Sequence, residues 1–249
     1  MGGIAGYVKE GEIISCKNTA DINGKSFTGG IVGYFKNDSF VSYCANTGDV
    51  TATGLYTGGI VGYVNTTSKE YSIGYCYNTG NIEGIETVGG IAGAAWSSEG
   101  NVVICYIYNT GNVKNVYNEL TGGIVGGTYY NCFNYEKVEN KNIIKYGYNM
   151  GEITSIANGI NQIGPGYMNC TKMYYVYGKT NYSGFGIAKD ANLFKAELSN
   201  TDSVLYLLNE ESSGIWTIDS NYNSRKCNFS MAIKLKKYVL IELFSCVII

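Results

Sequence analysis

Histidine is missing from all 249 residues. Its absence removes the commonest general base and the commonest zinc ligand together. No Ser-His-Asp or Cys-His relay and no His-Glu-x-x-His zinc site can be assembled. Chemistry would have to come from carboxylates, amines, cysteines or tyrosines. Glu70 and Glu99 are candidates by location alone, and no pair of acids stands at a spacing that compels a catalytic role. Asp21, Asp49, Asn81, Asn112 and Glu152 recur at one position of a repeat. The Gly-Gly-x-Gly-x-Asp nonapeptide of calcium-binding rolls is absent, so this row reads as a solvated polar column. The eight cysteines include no Cys-x-x-Cys pair, which argues against a zinc ribbon or a dithiol redox site. Cys16, Cys44, Cys76 and Cys132 fall at one place in successive repeats, as small buried hydrophobes stacked in a column would. Members of such a column lie close enough for a cross-rung disulfide. The expectation is a protein that is not an enzyme and uses no cofactor and no metal.

Tyrosine is the other unusual resource, at 24 residues. Tyr43, Tyr75, Tyr106 and Tyr146 share one repeat position, and Tyr77, Tyr108, Phe133 and Tyr148 share another beside it. If both columns face outward, the tyrosines are possible ligand contacts, their ring faces stacking on sugars or on a protein surface. The plainer reading is an aromatic ladder that stiffens the coil by cross-strand packing. Thr47, Thr79 and Thr110 give one threonine per turn, without the second threonine an ice-binding array needs. With 18 basic against 20 acidic residues there is no basic stripe, so nucleic acid is not an expected partner.

These side chains need a frame, and the frame is legible as a repeat. Gly2-Gly-Ile-Ala-Gly-Tyr-Val8, Gly29-Gly-Ile-Val-Gly-Tyr-Phe35, Gly58-Gly-Ile-Val-Gly-Tyr-Val64, Gly89-Gly-Ile-Ala-Gly93 and Gly122-Gly-Ile-Val-Gly126 follow at steps of 27, 29, 31 and 33 residues. That period marks a stack of small units, none able to bury its apolar face alone. A second phrase reads Cys16-Lys-Asn-Thr-Ala-Asp-Ile22, Cys44-Ala-Asn-Thr-Gly-Asp-Val50, Cys76-Tyr-Asn-Thr-Gly-Asn-Ile82, Ile107-Tyr-Asn-Thr-Gly-Asn-Val113, Cys132-Phe-Asn-Tyr-Glu-Lys-Val138 and Gly147-Tyr-Asn-Met-Gly-Glu-Ile153. Each phrase is short, β-rich and bounded by turn residues, so each is read as a strand. Alternation points Ile31, Cys44 and Val50 inward and Tyr34, Tyr43 and Ala45 outward. The structural positions are Gly30, Ile31 and Gly33 with their copies Gly59, Ile60, Gly62, Gly90, Ile91, Gly93, Gly123, Ile124 and Gly126. The Asn at 18, 46, 78, 109, 134 and 149 sits at a bend, where it can bond backbone and its own stacked copies. The fold class expected is all-β: a right-handed parallel β-solenoid of five to six turns with a small α+β cap. Segments 36–40, 65–70 and 95–101 vary in length and should project from one edge.

The two phrases resemble the GLUG repeat of bacterial surface and secreted proteins, including adhesin-like proteins and immunoglobulin A peptidases. The likeness rests on Gly30-Ile-Val-Gly33, Gly59-Ile-Val-Gly62, their siblings at Gly3, Gly90 and Gly123, and the spaced Asn-Thr-Gly phrase, over about residues 1 to 155. It implies a cell-surface or secreted location and a structural or adhesive role, with a host glycan or extracellular matrix or protein surface as partner. The alternatives are a carbohydrate-active β-helix enzyme or an accessory region of a larger surface peptidase. It transfers no catalytic residue. No basic start with an apolar run behind it is present, and Met1 leads straight into a repeat phrase, which suggests a fragment of something longer.

Three regions follow. Residues 1–166 are the repeats, with Asn158-Gly-Ile160 and Gly164-Pro-Gly166 as a worn last turn. Residues 167–223 form a cap with a helix over Thr201 to Asn209 and a tryptophan strand from Gly214 to Asp219. Residues 224–249 are a basic then apolar tail, foreign in character and departing from the family's ending at Ser224, as a shifted reading frame would. Its twelve apolar-rich residues are too few to span a bilayer, so membrane association is not favoured.

Overall fold

A computed structural model of the chain describes residues 1–65, 72–96, 102–117, 120–127, 143–155, 160–161, 163, 169–176, 187–189, 216–219, 224–227 and 247–248. It is a parallel β-solenoid of about four turns. Each coil runs through four short strands, and each strand pairs in parallel with its copies above and below. The first face stacks Ala5–Lys9, Val32–Lys36, Val61–Asn65, Ala92–Trp96 and Val125–Gly127. The second stacks Glu12–Ile14, Phe40–Ser42, Ile73–Asn78, Val103–Asn109, Ile143–Asn149, Asn169–Val176 and Ile187–Lys189. In the first two coils Lys17–Asn18 and Ala45–Asn46 continue this face after a bend. The third stacks Ile22–Gly24, Val50–Ala52, Ile82–Gly84, Val113–Asn115 and Ile153–Ser155. The fourth stacks Thr28–Gly29, Thr57–Gly58, Val88–Gly89, Thr121–Gly122 and Ile160–Asn161.

The repeat phrases are therefore corners more than strands. Gly29-Gly-Ile-Val32 turns the chain from the fourth face to the first, and Asn46-Thr-Gly-Asp-Val50 turns it from the second to the third. Both corners keep constant length in every coil, because the side chains inside them stack on their own copies. The corner between the first and second faces takes up the slack. It is short from Lys9 to Glu12 and from Lys36 to Phe40, and longest from Gly127 to Ile143.

That last corner corrects the sequence reading. The rung that follows Ile107 is not the expected Cys132. Ile107 pairs directly with Gly147, Tyr108 with Tyr148 and Asn109 with Asn149. Only fifteen residues separate Cys132 from Gly147, about half of what every complete circuit needs. The phrase lies outside the described residues, and without it the repeats give fewer turns than expected. In the other direction, one rung was hidden. The N–H of Ile124 donates to the Ile163 carbonyl at 2.9 Å, and Ile163 is fully buried. The isoleucine column thus runs Ile4, Ile31, Ile60, Ile91, Ile124, Ile163, each N–H bonding the carbonyl of the next at 2.9–3.0 Å.

Burial follows two cores. The larger holds the isoleucine column with Phe35, Val64 and Ala95 from the first face and Val41, Cys44, Ile73, Cys76, Ile104, Ile107 and Ile144 from the second. The smaller, Ile22, Val50, Ile82, Val88, Val113 and Ile153, fills the space between the third and fourth faces. Burying such columns supplies the hydrophobic term, at about 25 cal/mol per Å² of apolar area. Near the carboxyl end, the strand Trp216–Asp219 pairs antiparallel with Ser224–Cys227. The expected helix at 201–209 lies outside the described residues. Val247–Ile248 lies antiparallel on Glu12–Ile14. Among the described residues no helix is long and apolar enough to cross a membrane.

Candidate functional site

The glycines of the repeat owe their place to close approach. Among those described, none adopts a left-handed φ. A Cβ on Gly30 would lie 2.3 Å from Asn46 Cγ, one on Gly59 2.5 Å from Asn78 Cγ, and one on Gly90 2.6 Å from Asn109 Cγ. The second glycine of each pair thus clears room for the asparagine of the second phrase. Gly33, Gly62, Gly93 and Gly126 lie against the backbone one coil earlier, where a Cβ would meet a glycine carbonyl oxygen at 2.5–2.7 Å.

The space cleared is filled by a buried amide ladder. Nδ2 of Asn18 donates to Oδ1 of Asn46, Asn46 to Asn78 and Asn78 to Asn109, each at 2.8 Å, and Asn109 to Asn149 at 2.9 Å. The other Nδ2 hydrogen of each closes its own corner on the carbonyl two residues on, at 2.7–3.1 Å. Between neighbours every amide hydrogen and every oxygen is used, which is what burial of a carboxamide requires. Asn134 has no place in this series.

The polar row outside it is also structural. The N–H of Asp49 donates to Oδ1 of Asp21, Asn81 to Asp49, Asn112 to Asn81 and Glu152 to Asn112, at 2.7–3.2 Å. These oxygens cap backbone groups of the following coil. Among the described residues no cluster of three or more metal-binding side chains occurs. Glu70 and Glu99 lie outside the described residues.

The cysteine column divides. Cys44 and Cys76 are buried and stacked as small hydrophobes, each Sγ–H donating to the carbonyl two residues back, at 3.1 Å. Cys16 at the head of the column is disulfide-bonded, and its partner lies outside the described side chains. Cys132 lies outside the described residues.

The tyrosines depart most from expectation. Tyr43, Tyr75, Tyr106 and Tyr146 all have φ between 54° and 57°, in the left-handed region that bulky residues rarely enter. Each marks the bend in the second face. Their rings stack face to face along the axis, with centroids 4.7, 4.7 and 5.0 Å apart and planes within 12° of parallel. A ring sandwiched in this way offers its edge to solvent, so stacking a sugar on its face is blocked along the column. The second column is not on the outside at all. Tyr77 is buried, Tyr108 and Tyr148 are 1% and 0% exposed, and they stack at 4.9 and 5.1 Å. Phe133 does not stand between Tyr108 and Tyr148. Ala45, expected outward, is buried as well.

A third aromatic group escaped the sequence reading. On the outer side of the first face Tyr7, Tyr34 and Tyr63 are register neighbours, followed by Ala94 and Gly127. Phe27 and Tyr56, also at left-handed φ, fold against this row. Tyr7 at its head is 54% exposed. The signal was present in the Gly-Tyr step of the first phrase. The position shrinks to Ala94 and Gly127 further on, so the row is confined to the first three coils.

These columns define a parallel β-solenoid whose repeated side chains serve one another. No family model matches the chain, and searches of curated proteins and of solved structures return no match.

Proposed function

We propose that this chain is a non-catalytic structural or adhesive segment of a bacterial cell-surface or secreted protein, of the GLUG-repeat kind. One observation carries the reading: the side chains that recur in every coil are engaged with their own copies. The amide ladder, the isoleucine column and the two tyrosine stacks all run along the axis. A segment selected for such internal pairing is a stiff spacer, and specificity then belongs to what differs between coils, the corners after the first face. The half-buried rings of Tyr43, Tyr75 and Tyr106, stacked along the axis, offer a repeated surface for a glycan or a matrix protein, met edge-on.

The test is a binding screen of the full chain against immobilised glycans and extracellular matrix proteins. An adhesive role predicts saturable binding to at least one of them. That binding should fall at least about tenfold in a Tyr43→Phe, Tyr75→Phe, Tyr106→Phe variant, which keeps the stack and removes the hydroxyls. Binding unaffected by those changes would move the contact to the corners. Turnover of a uronic-acid polysaccharide by the chain would refute the non-catalytic reading.

A further inference from the structure

Successive coils meet through the same set of contacts, and among the described residues the first coil presents that set unfilled. At Gly33, Gly62, Gly93 and Gly126 a Cβ would fall 2.5–2.7 Å from the carbonyl oxygen of the matching glycine one coil earlier. At Gly6 it would meet nothing within 4 Å. The Oδ1 atoms of Asn46, Asn78, Asn109 and Asn149 each accept an amide hydrogen from one coil earlier at 2.8–2.9 Å. Among the described residues Oδ1 of Asn18 accepts only the N–H of Ala20, at 3.3 Å. The N–H groups of Asp49, Asn81, Asn112 and Glu152 each donate to a side chain one coil earlier. Among the described residues no side chain accepts the N–H of Asp21.

We propose that the amino-terminal face of the first coil is a docking surface for one further coil of the same chemistry, entering in parallel register. The coil-to-coil interface already inside the molecule specifies the occupant. It must bring a glycine carbonyl against Gly6, a carboxamide that donates to Asn18, and an Asp, Asn or Glu oxygen that accepts from Asp21. A coil carrying the Gly-Gly-Ile and Asn-x-Gly-Asp phrases brings all three at once. Among the described residues the first, third and fourth faces have no further strand at this side, ending at Ala5–Lys9, Ile22–Gly24 and the bridge between Gly2 and Gly29. On the second face Val247–Ile248 lies on Glu12–Ile14 in antiparallel sense, a pairing that supplies none of the three contacts and that the docked coil displaces.

The experiment joins a copy of residues 29–56 directly ahead of Met1 in the full chain, with and without Gly6→Val. In the unextended chain Gly6→Val should leave the denaturation midpoint within about 1 °C, since the side chain enters open space. In the extended chain the added coil should raise the midpoint and slow exchange of the Asp21 amide at least about tenfold, and Gly6→Val should cancel both gains. An Asp21 amide that exchanges at the same rate with and without the coil would overturn the proposal. So would a Gly6→Val change that costs the same in both chains. A dimer of the unextended chain that Gly6→Val dissolves would put a second copy in the coil's place and refute the choice of occupant.

Discussion

At the scale of single residues the molecule separates side chains that look alike in sequence. Asn78 is held from both sides, accepting from Asn46 and donating to Asn109 and to the Gly80 carbonyl. Asn78→Leu strands a buried donor above and a buried acceptor below. It should destabilise by about 3 kcal/mol or more in denaturant titration, where an exposed asparagine would cost almost nothing. Thr57 tells the opposite story. Its hydroxyl is buried without a hydrogen bond, in a column where the next coil has Val88. Thr57→Val should therefore stabilise by about 1 kcal/mol in the same titration. Tyr75 combines a left-handed backbone with a ring stacked on both sides. Tyr75→Ala loses both stacks and keeps the strained φ, whereas Tyr75→Gly loses the stacks and releases it. Glycine should be the milder change by about 1 kcal/mol, reversing the usual order in a strand. Equal midpoints for the two variants would show that the bend carries no strain.

At the scale of elements, corners matter more than strands. The corner from Asn46 to Val50 is locked by the amide ladder, whereas that from Lys36 to Phe40 has no such ladder and is tied by Ser39, whose hydroxyl donates to the Lys36 carbonyl, and by bonds from Asn37 and Phe40 to neighbouring coils. Two glycines inserted after Asp38 should leave the circular dichroism spectrum and the cooperativity of melting intact. The same insertion after Gly48 breaks the ladder register and should abolish cooperative melting. This contrast was legible in the sequence, because the spacing after each Asn was constant and the spacing after each glycine phrase was not. The inward places of Ile31, Cys44 and Val50 were legible too. Others were hidden for physical reasons. Alternation separates two sides of a strand but not water from a second covered side, so Tyr108 and Tyr148 were put outside. Composition shows that glycine is abundant, but not that Gly59 is needed to admit Asn78. Ile163 was missed because its glycine pair has become Asn161 and Gln162, while the backbone there still follows the rung. The Cys132 phrase misled in the converse way, keeping the letters of a rung without enough chain to close a circuit.

At the scale of the whole molecule, each coil touches only its neighbours, so stability is a sum of local interfaces. Protection from hydrogen exchange should be highest at the amides of Ile60 and Ile91 and lowest at Ile4, with outer coils opening before inner ones at low denaturant. Uniform protection along the isoleucine column would instead indicate a single all-or-none unit. The amide ladder adds a property that no individual rung possesses. All five carboxamides point the same way, oxygen toward the amino-terminal end and hydrogens toward the other, so their dipoles add along the axis. The rod is consequently a vector. Two such rods abutting at like ends would oppose oxygen to oxygen or hydrogen to hydrogen, while nose-to-tail joining continues the series, so any filament or longer column built from these coils inherits a single sense of direction.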